Sequence, residues 1–157
     1  MLAWPLASDP SGKPRLTTQL KGVNIRKQLS FQTKELAQGG SAMSRTPQEV
    51  FAHHGQALGA ADIDGIVSDY SEDALFITPD GVKRGKSGVR EGFEKLLTDL
   101  PNASWELPTQ IYADDVLLLE WKANASTNRV EDGIDTFIFR DGLIRVQTVR
   151  YTLISKG

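Results

Sequence analysis

The order of periodic segments along the chain predicts an α+β domain, with helices grouped early and antiparallel strands following. Apolar residues recur at helical spacing from residue 46 to residue 70, and again from 86 to 100. From Trp105 onward the spacing changes to two, the period of a strand. Short turn sequences such as Asp141-Gly142 separate the late segments, which favours antiparallel pairing.

The first helix is expected to begin at Thr46. Thr46 can cap the helix, Pro47 suits its first turn, and Glu49 can complete a capping box. On a helical wheel, His54 falls in the middle of the apolar stripe that follows, whereas His53 falls near the edge. We therefore expect His54 to face inward and His53 to be more exposed.

The remaining elements follow from the same periods. A second helix is capped by Asp62, and its apolar positions reach Tyr70 at i+7. A short strand over residues 74–78 ends in a Pro-Asp-Gly turn, and a third helix runs from about Lys86 to Leu100 before Pro101. Four late strands are predicted at residues 105–112, 116–126, 131–139 and 144–154.

The composition indicates a single globular domain of ordinary type and excludes several classes of site. The 157 residues contain no cysteine, which excludes disulfides and thiolate catalysis. The two histidines are adjacent and make a poor ligand set, so no metal and no cofactor are expected. With no apolar run near the roughly 20 residues that span a bilayer and no secretory signal, we expect no membrane partner and a cytoplasmic protein.

The charge divides the chain into two predicted parts. Residues 1–43 carry six Lys/Arg against two Asp/Glu, whereas the remainder carries twelve against eighteen. The sequence predicts a flexible basic extension over residues 1–43 and a folded domain over residues 44–157. An acidic domain repels phosphate backbones, so no nucleic acid is expected as a partner. The basic extension could bind an acidic partner.

A single acid lies within an apolar strand near the end of the chain. Because side chains alternate along a strand, Asp135 shares one face with Phe137 and Phe139. The opposite face is also mostly apolar, which predicts burial on both sides. A buried acid must find a hydrogen-bond partner or keep its proton. Asp135 is therefore either a pocket acid or a structural acid bonded to the backbone, Tyr112 or Tyr151.

Several stretches resemble the SnoaL-like and ketosteroid-isomerase-like members of the nuclear transport factor 2 superfamily. They are LGAADIDGIV (58–67), YSEDA (70–74), PDG (79–81), DTF (135–137) and RDG (140–142). The resemblance covers about residues 45–154. It implies a cone-shaped, curved antiparallel sheet wrapped around a long N-terminal helix with two further helices, an interior pocket open at the wide end, and a homodimer.

The resemblance also assigns positions. The oxyanion hole of ketosteroid isomerases uses a Tyr on the first helix and a protonated Asp on a late strand. By motif spacing these positions fall on His54 and Asp135, and the position of the general-base Asp falls on Thr78. A hydroxyl cannot replace a carboxylate base, so a conventional ketosteroid isomerase is not expected. Residues 120–123 and 149–151 also lack the Arg and Asp arrangement of the superfamily's epoxide hydrolases.

Two functions stay open. The first is a small-molecule pocket protein of the isomerase or cyclase type, in which Asp135 and His54 act on a small, apolar carbonyl or enol ligand. Its pocket would also be lined by a set of mostly aromatic residues, Thr78, Phe137, Phe139, Tyr70 and Trp121. The alternative is a non-catalytic homodimeric module that binds a ligand or a protein. It is favoured by the absence of a carboxylate base at Thr78 and by the apolar outer face of Ile134, Thr136 and Ile138.

Overall fold

The computed structural model describes residues 43–157, which form three helices and seven strands. The predicted extension, apart from Met43, lies outside the described residues. The helices are α1 (Pro47–Gly59), α2 (Ile63–Ser68) and α3 (Gly85–Asp99). The strands are β1 (Tyr70–Thr78), β2 (Gly81–Arg84), β3 (Ser104–Ala113), β4 (Val116–Asn124), β5 (Asn128–Arg140), β6 (Leu143–Arg150) and β7 (Ile154–Ser155). Over this range, none of the helices has the length and apolar character needed to cross a membrane.

The strands form one curved sheet in the order β2-β1-β6-β5-β4-β3, and β7 also pairs with β5. β3 to β6 form an antiparallel meander, whereas β1 runs parallel to β6. The α+β class and the curved sheet confirm the prediction. The short hairpin strand β2 was not predicted, because its four residues have no apolar alternation.

Helix α1 begins as its sequence indicates. The Thr46 hydroxyl accepts the backbone N–H of Glu49, and the Glu49 carboxylate accepts the N–H of Thr46, which completes a capping box. The buried stripe of α1 includes His54, which is 3% exposed. The side chain of His53 is 48% exposed. Both predicted orientations are confirmed.

The largest differences from the sequence prediction are at two boundaries. Tyr70 is the first residue of β1 rather than a late position of the second helix, because α2 ends at Ser68 and the next residue, Asp69, turns into the core. The last long strand is interrupted: β6 ends at Arg150 and β7 begins at Ile154. Between them, Thr152 donates its backbone N–H to the Asp132 side chain instead of to a neighbouring strand.

Strand β5 is buried on its inner face alone, which corrects the prediction of burial on both sides. Asp135, Phe137 and Phe139 point into the core. On the opposite face Ile134 is 38% exposed, and Leu118 of β4 and Ile111 of β3 are also exposed. Alternation alone identifies two apolar faces but not which of them the chain itself covers.

A second buried acid, Asp69, joins the start of the domain to the core. Its side chain is fully buried and accepts hydrogen bonds from Arg45 (Nη1 to Oδ1, 2.8 Å) and from His53 (Nδ1 to Oδ2, 2.8 Å). Arg45 also donates to the Gly142 carbonyl in the β5–β6 turn. This cluster connects the residues before α1 to the β5–β6 turn, which lies 97 positions later in the sequence.

Candidate active site

A cavity of about 640 Å³ lies between α1, α3 and the inner face of the sheet. This volume is typical of a small-molecule site. Seven aromatic side chains line it: Phe51, Phe76, Phe93, Trp105, Trp121, Phe137 and Tyr151. The lining residues Asp135, His54 and Gln147 are buried, whereas Lys95, Leu107 and Leu153 are exposed. The cavity therefore has a closed inner end and an open rim.

Asp135 lies at the inner end, and each oxygen of its carboxylate accepts one hydrogen bond. The indole Nε1–H of Trp121, on β4, donates to Oδ1 over 2.9 Å. The amide Nε2–H of Gln147, on β6, donates to Oδ2 over 2.8 Å. Trp121 and Gln147 flank Asp135 because β4 and β6 are the two neighbours of β5. The sequence suggested the backbone, Tyr112 or Tyr151 as partners, which was wrong.

Gln147 is held in the orientation that aims its amide donor at Asp135. The buried hydroxyl of Tyr70 donates to Gln147 Oε1, which leaves Nε2 to face the carboxylate. Burial raises the pKa of Tyr70 well above its ordinary value, so its hydroxyl stays protonated and remains a donor. Tyr70 and Gln147 together fix which atoms surround the acid.

Burial raises the pKa of Asp135 to about 7, although the bonds from Trp121 and Gln147 act in the opposite direction. Both donors are neutral, so they offset only part of the cost of burying a charge. A carboxyl group that titrates near neutral pH can both accept and release a proton, as general acid–base chemistry requires. This is the property that distinguishes Asp135 from an ordinary carboxylate.

His54 reaches the same cavity from α1, within an aromatic cage. Its ring centroid lies 5.3 Å from that of Phe93, and 5.7 Å from those of Tyr70 and Phe137. Burial lowers the pKa of His54 to about 4, despite the opposing charge of Asp69, so the ring is neutral at pH 7. Nδ1 is buried without a hydrogen-bond partner among residues 43–157. With Nδ1 enclosed, the neutral imidazole can offer a ligand one hydrogen bond through its other ring nitrogen, but no charge.

His54 and Asp135 line one cavity without forming a hydrogen-bonded pair. Asp135 is bonded to Trp121 and Gln147, and the pKa of His54 responds to burial, Asp69 and His53. The two groups can therefore contact different atoms of one ligand.

The other predicted lining residues divide into two groups. Thr78, Phe137 and Trp121 lie at the cavity wall, and the Thr78 hydroxyl accepts the backbone N–H of Asp80. Tyr70 and Phe139 were predicted to line the pocket but lie behind its wall. Tyr70 bonds to Gln147, and Phe139 stacks on Phe137 with ring centroids 6.1 Å apart. Each is buried by the layer of side chains that forms the wall.

Sequence reasoning missed Gln147, the residue that orients the acid. Its polar side chain is 2% exposed between inward-facing positions of β6. A β-bulge between Ile138 and Phe139 shifts the β5–β6 register, so Ile144 and Gln147 both face inward although they lie an odd number of residues apart. The sequence did contain one signal: Gln147 lies an even number of residues before Val149 and Tyr151, so all three are expected on the same face of a strand.

Two lysines that line the cavity are each paired with an acid. Lys95 Nζ lies 2.6 Å from Asp99 Oδ2, and Lys83 pairs with Glu91. Within residues 43–157, no three His, Asp or Glu side chains are grouped so as to hold a metal ion. The chemistry that these residues themselves can supply is proton transfer and hydrogen bonding.

Comparison with known proteins agrees with this architecture. The family model of the SnoaL-like domain matches residues 51–147. No curated protein sequence matches the chain. Its structure is similar to that of a SnoaL-like protein of unknown function from Burkholderia thailandensis E264, at 20% identity and a TM-score of 0.56, covering 67% of this chain and 93% of that one.

Two further structures show the same fold. A candidate ketosteroid isomerase from Kribbella flavida DSM 17836 is 13% identical, with a TM-score of 0.58 over 71% of this chain and 82% of that one. The epoxide hydrolase/cyclase-like enzyme SalBIII, which acts in pyran ring formation in the polyether salinomycin, is 20% identical, with a TM-score of 0.59 over 69% and 95%. The matched family model spans most of the described domain, and the chain belongs to the SnoaL-like domain family.

Proposed function

We propose that this chain is a small-molecule pocket protein that performs acid–base chemistry on a carbonyl or enol ligand. The observation that carries the proposal is the placement of Asp135: a buried carboxyl at the inner end of a cavity of about 640 Å³, bonded to two neutral donors, with its pKa raised to about 7. The apolar, aromatic wall favours a ligand with a largely apolar body.

In the proposed reaction, Asp135 exchanges a proton with the ligand. The ionised carboxylate removes a proton from the carbon next to a carbonyl, and the C–H electron pair moves into the enolate. The carboxylic acid then returns the proton to the same or another atom of the ligand, which completes an isomerisation or prepares a ring closure. No net oxidation occurs, so the step requires no co-reactant.

His54 would stabilise the enolate oxygen by hydrogen bonding rather than by proton transfer. With a pKa of about 4, the ring is almost entirely neutral at pH 7, so its charged form is too rare to serve as the general acid. Because Nδ1 is enclosed by the cage, we infer that the Nε2 side of the ring faces the ligand. A neutral N–H in a dry site stabilises developing negative charge.

An exchange experiment tests the proposal. The α-protons of 2-tetralone, an apolar enolisable ketone, are followed by NMR in D2O with wild-type protein, Asp135→Asn, His54→Phe and the exposed control Asp64→Asn. We expect catalysed exchange in wild type and control, a loss of about 10²-fold or more in Asp135→Asn, and a smaller loss in His54→Phe. Equal rates in wild type and Asp135→Asn would contradict the proposal.

The second candidate is a homodimeric binding module without turnover. The exposed apolar residues Ile111, Leu118 and Ile134 lie on neighbouring strands of the outer sheet face, which favours contact with a second copy. Sedimentation of wild type and Ile111→Asp tests the dimer, which the substitution should dissociate. Binding of 2-tetralone without catalysed exchange would favour this function over the first.

A further inference from the structure

Three residues between β6 and β7, Tyr151–Leu153, leave the sheet and cover one side of the cavity. β6 pairs with β5 up to Arg150, opposite Ile134, and β7 resumes the pairing at Ile154, opposite Arg129. In the interval the side chains of Tyr151 and Leu153 line the cavity, and Leu153 is 38% exposed at its rim. We call residues 151–153 the strap.

Asp132 of β5 accepts two hydrogen bonds from the strap and forms an ion pair with the residue that precedes it. Its Oδ1 accepts the backbone N–H of Thr152 over 2.8 Å, and its Oδ2 accepts the Thr152 hydroxyl, also over 2.8 Å. Arg150 adds an ion pair to Oδ2 over 3.1 Å. The bonds from Thr152 lower the pKa of Asp132, so the carboxylate stays ionised and remains an acceptor. One side chain thus replaces the ladder bonds that a continuous strand would have made.

The strap is coupled to Asp135 through the ring of Trp121. Tyr151 packs on that ring with centroids 5.3 Å apart, and Trp105 contacts it at 5.6 Å. Gly133 of β5 leaves room for the indole, since a Cβ at that position would overlap it. The Nε1–H of the same ring donates to Asp135 Oδ1. The position of Tyr151 therefore constrains the donor that contacts the acid.

We propose that Asp132 is a positioning residue, that the strap it holds determines which ligands the cavity accepts, and that the strap keeps water from Asp135. The proposal rests on the proposed function in so far as the cavity binds a ligand. Tyr151 excludes solvent at the inner end, and Leu153 contacts the part of the ligand that reaches the rim. A displaced strap would widen the opening and hydrate the acid.

Several titratable side chains line the cavity together with Asp135 or lie directly behind its wall. They are His54 of α1, Tyr70 of β1, Asp80 of the β1–β2 turn, Lys83 of β2, Lys95 and Asp99 of α3, and Tyr151 of the strap. None of them is altered in the variants below, and Glu131→Gln controls for the negative charge that Asp132→Asn removes. A change in the titration midpoint of Asp135 that occurs only when the strap is loosened therefore reports its exposure to water.

Two variants loosen the strap to different degrees, and a third is a matched control. Asp132→Asn removes the charge and one acceptor, whereas Thr152→Val removes only the hydroxyl bond. Glu131→Gln changes the neighbouring residue on β5, whose exposed ion pairs with Lys122 and Arg129 lie away from the strap. Circular dichroism establishes that each variant is folded, and Thr152→Val serves as the test variant if Asp132→Asn is not.

The readouts are the affinity for 2-acetonaphthone, measured by fluorescence, and the ¹³C NMR titration midpoint of the Asp135 carboxyl carbon. We expect Asp132→Asn to weaken binding by about fivefold or more and to move the midpoint towards the ordinary value for Asp. Thr152→Val should produce smaller changes in the same directions, and Glu131→Gln should match wild type.

The outcomes separate this proposal from the proposed function. Folded variants with unchanged affinity and unchanged midpoint would overturn the role of Asp132, whether or not the protein catalyses exchange. If wild-type protein binds no ketone, the proposed function fails, and the midpoint alone decides whether the strap shields Asp135. A midpoint shift in Glu131→Gln as large as that in Asp132→Asn would also overturn the proposal.

Discussion

The domain contains two buried acids that are surrounded in opposite ways. Asp69 is fully buried and contacts two basic side chains, Arg45 and His53, which are themselves about half exposed. Asp135 is 6% exposed and contacts only neutral donors, Trp121 and Gln147. Asp69 lies where the first residues of the domain meet a hairpin, whereas Asp135 lies at the end of a cavity.

The difference shows why burial alone does not identify a functional acid. A guanidinium beside a carboxylate offsets the cost of burying its charge, and the pair then joins two parts of the chain. Neutral donors orient a carboxylate but offset less of that cost, so its proton affinity rises. An acid of the second kind that also faces a cavity can exchange a proton with a ligand.

The largest expected effect is on the dependence of stability on pH. The pKa of Asp135 is about 7 in the folded protein against an ordinary 3.8, so the folded state binds the extra proton and stability falls as pH rises through this window. The pKa of His54 is lowered from 6.5 to about 4, so its contribution to the free energy of unfolding rises with pH over that range. Each slope reaches about 1.4 kcal/mol per pH unit.

Because the two slopes have opposite signs, they should largely cancel in wild-type protein between about pH 4 and 6.5. Asp135→Asn should become more stable relative to wild type as pH rises, by on the order of 4 kcal/mol at pH 8. His54→Phe should become less stable relative to wild type as pH rises to about 6.5. Urea unfolding at several pH values measures both, and parallel curves for the three proteins would contradict the assigned environments.

A smaller effect is expected from breaking the Asp69 cluster. Asp69→Ala leaves Arg45 and His53 without their buried partner, and we expect a loss of about 3 kcal/mol in the free energy of unfolding, since both side chains can regain some hydration. The titration of Asp135 should be almost unchanged. A loss below about 0.5 kcal/mol in urea unfolding would show that the cluster is not structural.

The smallest effect concerns one hydrogen bond to Asp135. Gln147→Leu removes a donor that lowers the pKa of the acid, and we expect the Asp135 midpoint to rise by about one unit, which is the value of a hydrogen bond to a charged group. Tyr70→Phe leaves that donor in place and should change the midpoint less. A midpoint that falls in Gln147→Leu would mean that water replaces the amide.

The sequence predicted the inward positions of His54 and Asp135 because each lies in a long segment with a clear period. It did not predict the partners of Asp135, since the bulge in the β5–β6 pairing breaks the alternation between Ile144 and Gln147, and counting from Ile144 would place Gln147 on the outer face. The strap was also missed, because a carboxylate that replaces ladder bonds leaves the apolar alternation of residues 149–153 intact.

The two acids also differ in how visible they were. Asp135 stood out because its neighbours in sequence are apolar, whereas Asp69 follows a short helix and is flanked by Ser68 and Tyr70. Its burial depends on contacts with Arg45 and His53, which lie 24 and 16 residues earlier. A local pattern cannot reveal a cluster that is assembled by tertiary packing.

The central claim is most directly tested by the titration of the Asp135 carboxyl group itself. The ¹³C shift of its Cγ can be followed from pH 3 to pH 9 and assigned by the disappearance of the signal in Asp135→Asn. The environment described above predicts a midpoint of about 7. A midpoint near 4, the ordinary value for Asp, would contradict the dry, proton-exchanging site on which the proposed function depends.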